Sequence, residues 1–256
     1  MDENTRKLYE KYGINPEEKE KENLEIILKR NNELDSYYKN LFQKQFENGI
    51  TKKFDKLIEY LRNPRFYYFT ELELNIQQVI KCLLCESYSA SITLTNHILE
   101  RTLKLALIQN ESGLQPKSIE NWNETYKNSH RFSSWPMHKT ITECKNQKLI
   151  TIEQLEELKY YKNSIRNGFS HYDTDKILID ENNIINGKQI KSENNLSEII
   201  PLNLKQIPML QNNYITKFAE ENAEIYFDFV FSIILRIERK FKEKYYAEYQ
   251  ENLAKK

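Results

Sequence analysis

The stretch that decides the fold reads Ser87-Tyr88-Ser89-Ala90-Ser91-Ile92-Thr93-Leu94. It lies within a helical pattern that resumes near Leu72 and runs, with at most one break, to about Gln109. Small residues let neighbouring helices approach closely, because the distance between two helix axes depends on the side chains at their contact. This stretch therefore predicts a packing centre, around which other helices assemble.

The composition also indicates a helical protein. The chain has 256 residues, enough for one or two domains with a sizeable core. It contains only five glycines and six prolines, which argues against a sandwich or barrel with many tight turns. Charged residues make up 30% of the chain and alternate with apolar residues at helical spacing. We therefore predict an all-α fold.

The charges and the hydropathy limit the function classes. Basic and acidic residues number 38 each, so the formal net charge is zero, and any nucleic-acid binding has to rest on a local basic patch. The start of the chain, Met1-Asp2-Glu3-Asn4, lacks the apolar core of a signal peptide. The most apolar run, from Ile225 to Leu235, is too short to span a bilayer and contains Asp228. We expect a soluble, cytoplasmic protein without a membrane association.

The pattern predicts an N-terminal helical extension over residues 1–65 and a second helical domain over residues 66–256. In the extension, a long amphipathic helix starts near Leu24 and is expected to end at Gly49. A short second helix follows and stops before Pro64.

An insertion at about residues 176–208 interrupts the second domain. It contains isoleucines among polar residues, and Asn186-Gly187 is typical of a turn, so we predict a small β-hairpin or a loop. Pro201 and Pro208 mark a further loop. A long helix from about Leu210 to Tyr249 closes the chain.

One segment carries residues suited to phosphodiester chemistry, Arg166-Asn167-Gly168-Phe169-Ser170-His171. A histidine takes or gives a proton near neutral pH. An arginine holds a phosphate and stabilises the charge that develops on it. The preceding helix starts with a capping box at Thr151 and Gln154, and its Lys159 and Lys162 add a local basic surface for RNA.

Gly168 is expected to end that helix. On an unbroken helix, residues five apart lie about 140° apart around the axis. A helix end at Gly168 would let His171 fold back towards Arg166. The alternative interpretation is an ordinary helix-end arginine that binds carbonyl groups, with an exposed histidine nearby.

Two segments together resemble the HEPN superfamily, whose pattern is an arginine, usually followed by a polar residue, and a histidine after four to six positions. The first segment is Tyr160-Tyr161-Lys162-Asn163-Ser164-Ile165-Arg166-Asn167-Gly168-Phe169-Ser170-His171. The second resembles a HEPN core helix and reads Ser87-Tyr88-Ser89-Ala90-Ser91-Ile92-Thr93-Leu94-Thr95-Asn96-His97-Ile98-Leu99-Glu100-Arg101-Thr102-Leu103-Lys104. The resemblance covers roughly residues 72–175.

The resemblance implies a HEPN-like helical bundle that forms a homodimer with a composite active site. Many members are metal-independent endoribonucleases in toxin–antitoxin or antiphage defence systems. Arg166 would contact the scissile phosphate, His171 would be the general base or acid, and Asn167 would orient them. The products would be a 2′,3′-cyclic phosphate and a 5′-hydroxyl. RNA is the implied substrate, an antitoxin or regulatory protein is a further partner, and neither cofactor nor metal is implied.

Three alternatives stay open at this point. The chain is an active ribonuclease, a non-catalytic HEPN module that binds RNA, a nucleotide or a protein, or a helical scaffold whose N-terminal helix pairs with a partner. One family feature is absent, because Asp173 stands where some toxins carry a modified tyrosine.

Other candidate residues are expected to have structural roles. Cys82 and Cys85 share a helix face, but a zinc site needs two more ligands, so free buried thiols are expected. His97 is expected to be a hydrogen-bonded core or interface histidine. Glu100 and Arg101 are expected to pair in solvent or to support the motif from behind.

Overall fold

The computed structural model of the chain describes residues 3, 6–7, 11–13, 15–62, 66–114, 117–127, 129–171, 177, 184–190, 197–203 and 207–254. The chain divides into two compact units, residues 1–52 and residues 53–256. The predicted N-terminal extension reached to residue 65, whereas residues 53–62 belong to the second compact unit. The predicted all-α class is confirmed at the level of a predominantly helical chain with one small sheet.

Helix α1 spans Pro16–Leu57. The side chain of Asn15 accepts a hydrogen bond from the Glu17 N–H at 3.0 Å, and proline is favoured at the first helical position. The prediction that Gly49 ends this helix is wrong, because the helix continues through it. A glycine inside a helix costs only about 1 kcal/mol, which a 42-residue helix tolerates. A short helix α2 follows at Glu59–Arg62.

Three helices build the core of the second unit. Helix α3 covers Glu73–Leu84 and helix α4 covers Tyr88–Ser112. The closing helix, numbered α10 below, covers Pro208–Ala254, and α4 packs against both of the others. The single predicted break between Leu72 and Gln109 lies at the end of α3, where Glu86 adopts a φ of 56°.

The small-residue stretch predicted as a packing centre is buried only in part, because Ser87, Ser89, Ala90 and Thr93 are exposed. Ser91 and Thr95 are fully buried, as is Ile92 beside them. The Thr95 hydroxyl donates to the Ser91 carbonyl at 2.7 Å, so its polar group is satisfied within the helix. Facing apolar side chains on α10 include Tyr226, Phe227, Val230, Ile233 and Ile234, all fully buried.

The segment between α4 and the motif is made of short helices. They are α5 at Trp122–Thr125, α6 at His130–Ser133, α7 at Met137–Asn146 and α8 at Ile152–Tyr161. The predicted capping box at the start of α8 is confirmed. The Gln154 N–H donates to Thr151 Oγ1 at 3.2 Å, and the Thr151 N–H donates to Gln154 Oε1 at 2.8 Å. Helix α9 covers Asn167–His171.

The insertion contains an antiparallel pair of strands, β1 at Ile184–Ile190 and β2 at Ser197–Asn203. The hairpin prediction is confirmed, but its turn was misplaced, because Asn186 pairs with Pro201 inside the ladder. Pro201 is therefore a strand residue. Pro208 is the first residue of α10, the helical position that proline favours.

A buried carboxylate joins the closing helix to the start of the second unit. Glu238 is only 4% exposed. Its two carboxylate oxygens accept hydrogen bonds from the backbone N–H groups of Tyr67 at 2.7 Å and Tyr68 at 3.1 Å. Buried charges are tolerated when hydrogen bonds satisfy them, so Glu238 fixes the path of residues 66–69 against α10.

Within the described part of the chain, no helix combines the length and the apolar character that crossing a membrane requires.

Candidate active site around Arg166

The motif arginine ends a π-helical turn that spans Lys162–Arg166. The Asn167 N–H donates to the Lys162 carbonyl, five residues back, whereas an α-helix bonds four residues back. The Ser164 hydroxyl donates to the Tyr160 carbonyl at 2.7 Å, a local bond that competes with the regular helix ladder. Short π-helical turns occur frequently at functional sites.

The chain remains helical through His171, so the prediction that the helix ends at Gly168 is wrong. Over this helical backbone, positions 166 and 171 lie about 140° apart around the axis. The helix end that would let His171 fold back towards Arg166 is therefore absent between Asn167 and His171. The side chain of His171 lies outside the described residues.

The guanidinium of Arg166 contacts residues from both predicted segments. Arg166 Nη1 donates to Asn167 Oδ1 at 3.1 Å. Arg166 Nη2 lies 3.7 Å from Glu100 Oε2, and the two side chains are 26% and 31% exposed. The other oxygen of Glu100 accepts from Lys104 Nζ at 2.8 Å. Glu100 thus supports Arg166 from α4, one of the two roles that the sequence suggested for it.

A charged cavity of about 590 Å³ lies beside this contact and shares Glu100 with it. Arg101 Nε donates to Glu71 Oε1 at 2.6 Å across the cavity lining, and Lys104 Nζ donates to the Ser133 carbonyl at 2.9 Å. The lining residues are Glu71, Leu72, Asn75, His97, Ile98, Glu100, Arg101, Lys104 and Ser133. Its acidic and basic groups alternate, so the cavity suits a ligand that carries both hydrogen-bond donors and a negative charge.

His97 is exposed and lines this cavity, so the core alternative for this histidine is wrong, and the interface alternative stays a prediction. It lies one residue after the buried Asn96 and one helical turn before Arg101. Helical spacing alone indicates that His97 and Arg101 lie on one face, because positions three and four apart share a helix face.

A buried polar pair lies behind the site. The Tyr226 hydroxyl donates to Asn96 Oδ1 at 2.7 Å, and the Tyr226 ring stacks on Tyr161 with centroids 5.2 Å apart. Burial raises the pKa of Tyr226, and the positive charge of Arg166 acts in the opposite direction. Tyr226 therefore stays neutral, and its hydroxyl donates a hydrogen bond to Asn96. The Nδ2 group of Asn96 has no hydrogen-bond partner among the residues described.

The two predicted RNA-binding lysines differ in their surroundings. Lys159 Nζ lies 2.8 Å from Glu156 Oε1, with its side chain 48% exposed, so a carboxylate offsets its charge. Lys162 starts the π-helical turn and is half-buried. The basic surface that leads into the motif is thus weaker than the sequence pattern suggested.

The cysteines do not come together with other metal-binding side chains in the described segments, where no group of three or more His, Cys, Asp and Glu side chains has the arrangement of a metal site. Cys82 is half-buried and Cys85 is exposed, whereas Cys144 is buried. Cys82 and Cys85 are free thiols, as expected, but the expectation that they are buried is wrong.

Comparisons with known proteins give no family assignment. No family model matches the sequence, and neither a curated protein nor a solved structure matches the chain.

Proposed function

We propose that this chain is a metal-independent endoribonuclease of HEPN type. It would act in bacterial antiphage defence or in a toxin–antitoxin system, and it would cleave RNA by attack of the 2′-hydroxyl on the adjacent phosphate. The observation that carries the proposal is the placement of Arg166. A π-helical turn presents it, Asn167 and Glu100 contact its guanidinium, and a charged cavity lies alongside.

In this mechanism Arg166 binds the scissile phosphate. A guanidinium is a planar fork of N–H donors that matches phosphate oxygens. The contacts to Asn167 and Glu100 fix the orientation of the fork before RNA arrives, which lowers the cost of organising the transition state. At 3.7 Å, the Glu100 contact is longer than a hydrogen bond, so a phosphate can compete for the Nη2 group.

His171 is the proposed general base or acid, and a second copy of the chain completes the site. One histidine cannot readily remove a proton from the 2′-hydroxyl and protonate the leaving oxygen at once, whereas two histidines can. The 140° angle between positions 166 and 171 on one helix supports a composite site, in which a homodimer supplies the facing groups. The products are a 2′,3′-cyclic phosphate and a 5′-hydroxyl.

The test is RNA cleavage in the presence of EDTA, with the product ends mapped. His171→Ala should reduce cleavage by about 10²–10⁴-fold, the usual contribution of a positioned acid or base. Arg166→Lys should also be strongly impaired, because an ammonium cannot replace the planar fork. His138→Ala is the matched control, since His138 is an exposed histidine on α7. Equal activity in His171→Ala and the control variant would refute the catalytic assignment.

A second candidate is a non-catalytic HEPN module that binds RNA, a nucleotide or a protein partner. The mixed charge of the cavity favours it, because Glu71 and Glu100 repel a bare polyanion while Arg101 attracts a phosphate. This function predicts binding without turnover, and a steep loss of affinity with salt if the ligand is RNA. Arg101→Gln would then weaken binding, while His171→Ala would leave it unchanged.

A further inference from the structure

The part of helix α1 that lies in the first compact unit of the chain carries an apolar stripe that is exposed to solvent. The stripe consists of Leu24, Ile27, Leu28, Leu34, Tyr38, Leu41 and Phe42, and we call it the N-terminal stripe. Of these side chains, Leu34 is 42% exposed, Phe42 is 62% exposed, and Leu24, Ile27, Leu28 and Tyr38 fall between them. Apolar stripes of this width on monomeric proteins mark interaction sites.

The stripe follows a heptad repeat. Leu24, Asn31 and Tyr38 occupy successive a positions, and Ile27, Leu34 and Leu41 occupy the d positions three residues after each. Residues at a and d form the seam along which two helices pack as a coiled coil. Leu28 and Phe42 widen the seam at e positions.

Two polar residues of the repeat specify the pairing. An asparagine at a single a position, here Asn31, fixes register and favours two strands, because it faces its own copy only in a parallel, in-register pair. Arg30 occupies a g position and Asp35 the e position five residues later, and both are exposed. In a parallel dimer each g residue faces the following e residue of the other helix, so two Arg30–Asp35 pairs form.

The exposed apolar area of the N-terminal stripe is close to the area that a stable dimer interface buries. Each large apolar side chain of the stripe still exposes on the order of 100 Å², about half of what a buried aromatic residue covers. Together they approach the roughly 800 Å² per partner of a standard interface.

The charges of the remaining faces argue for a protein partner. Helices that lie on anionic membranes carry a basic polar face. In α1, acidic residues such as Glu25, Glu33 and Glu47 alternate with Lys29 and Lys39, so the polar face has no basic excess.

We propose that the N-terminal stripe pairs with the same stripe of a second copy of this chain, as a parallel, two-stranded coiled coil. The proposal does not rest on the ribonuclease function, although the composite site proposed above also needs a second copy of the chain. It concerns the first unit alone, and its tests measure assembly, whereas the cleavage assay above measures chemistry.

The first test is sedimentation equilibrium of the full-length chain, from low micromolar to several hundred micromolar concentration. We expect a monomer–dimer equilibrium in the wild type. Leu34→Asp should weaken it at least about 100-fold, because it places a charge in the apolar seam. Ile26→Asp is the matched control. Ile26 is 58% exposed and lies outside the seam at a c position, so the dimer should persist. A monomeric wild type, or an unchanged dimer in Leu34→Asp, would overturn the proposal.

The second test establishes the parallel register. Asn31→Cys should form a disulfide-linked dimer on mild oxidation, because residue 31 faces its own copy. Glu33→Cys, on the outer face of the helix, should not, and wild type reports the background from the three native cysteines. Equal cross-linking in both variants contradicts the register, and an antiparallel pair would leave Asn31→Cys uncross-linked.

The charge pairs give a third test. Arg30→Glu makes both facing positions acidic, and Asp35→Arg makes both basic, so each variant should self-associate about tenfold more weakly than wild type. Mixing the two variants should form a heterodimer in which both pairs are attractive. Failure of the mixture to associate would refute the parallel arrangement.

Discussion

Replacing Glu238 with glutamine should destabilise the second unit far more than an ordinary surface substitution. The carboxylate accepts one backbone N–H at 2.7 Å and another at 3.1 Å. A glutamine oxygen replaces one acceptor, but its amide nitrogen would face the other N–H as a second donor. A buried donor without a partner costs about 1–3 kcal/mol, and the lost hydrogen bond was made to a charged group.

We therefore expect the free energy of unfolding to fall by about 3 kcal/mol. The ion pair with Lys242, at 3.3 Å and with a lysine side chain that is 40% exposed, adds little because solvent screens it. A loss of this size lowers the melting temperature by about 6–12 °C in a domain of about 200 residues.

The assay is urea and thermal unfolding followed by circular dichroism. Glu243→Gln is the matched control, because Glu243 is exposed on the same helix and undergoes the same chemical change. The control should stay within about 0.5 kcal/mol of wild type. If Glu238→Gln behaves like the control, the carboxylate does not hold residues 66–69, and the reasoning is wrong.

Three further substitutions test other parts of the structure. Thr151→Ala should lower the free energy of unfolding by about 1 kcal/mol in urea titrations. It should also raise the pKa of Glu153, which the Thr151 side chain lowers in the folded chain. The stabilisation linked to Glu153 is present above the ordinary carboxyl pKa and is lost as the pH falls through the lowered value, and NMR titration reads the shift directly. Tyr226→Phe removes a buried 2.7 Å hydrogen bond and should cost about 1–3 kcal/mol in the same urea assay. In the proposed ribonuclease, Glu100→Gln should lower kcat about tenfold with little change in KM, because a less ordered Arg166 weakens the transition state more than the bound substrate; an unchanged kcat would contradict this positioning role.

The sequence predicted elements whose signals are local and strong. The capping box at Thr151 and Gln154 is confirmed atom by atom, because its two hydrogen bonds depend on residues only three apart. The small-residue stretch was placed correctly in the core only at Ser91 and Ile92, because just one face of α4 packs against other helices.

Glycine and the turn-forming pair Asn186-Gly187 predicted the ends of helices and strands less well. Their local conformational preference is small beside the stabilisation from a long helix or from strand pairing. Gly49 lies inside a helix, since a penalty of about 1 kcal/mol is minor for a helix of that length. Asn186-Gly187 lies inside a strand, because pairing with β2 fixed the register. Strand register follows from cross-strand contacts, which a single stretch of sequence does not contain.

The site residues that the sequence suggests stay a prediction, and the geometry around Arg166 was not predicted. Arg166 and Glu100 lie 66 positions apart in sequence, and only the packing of two helices brings them within 3.7 Å. The π-helical turn has no recognised sequence signature, since it reflects a competition among hydrogen bonds to neighbouring carbonyls. The core alternative for His97 is wrong for a related reason, because one helix can bury Asn96 and expose the next residue.

The π-helical turn also means that this helix holds one residue more than a regular α-helix would need to cover the same distance. Each residue of an α-helix turns the chain by about 100°. The turn absorbs the extra residue, and Leu158 before it and Ile165 within it both lie buried in the core. If the turn became regular α-helix with all its residues kept, everything beyond it would rotate by about 100°, whereas deleting one residue at the same time would keep the segments beyond in place. The position of Arg166 opposite Glu100 thus depends on the hydrogen-bond pattern of residues 162–166 as much as on their composition.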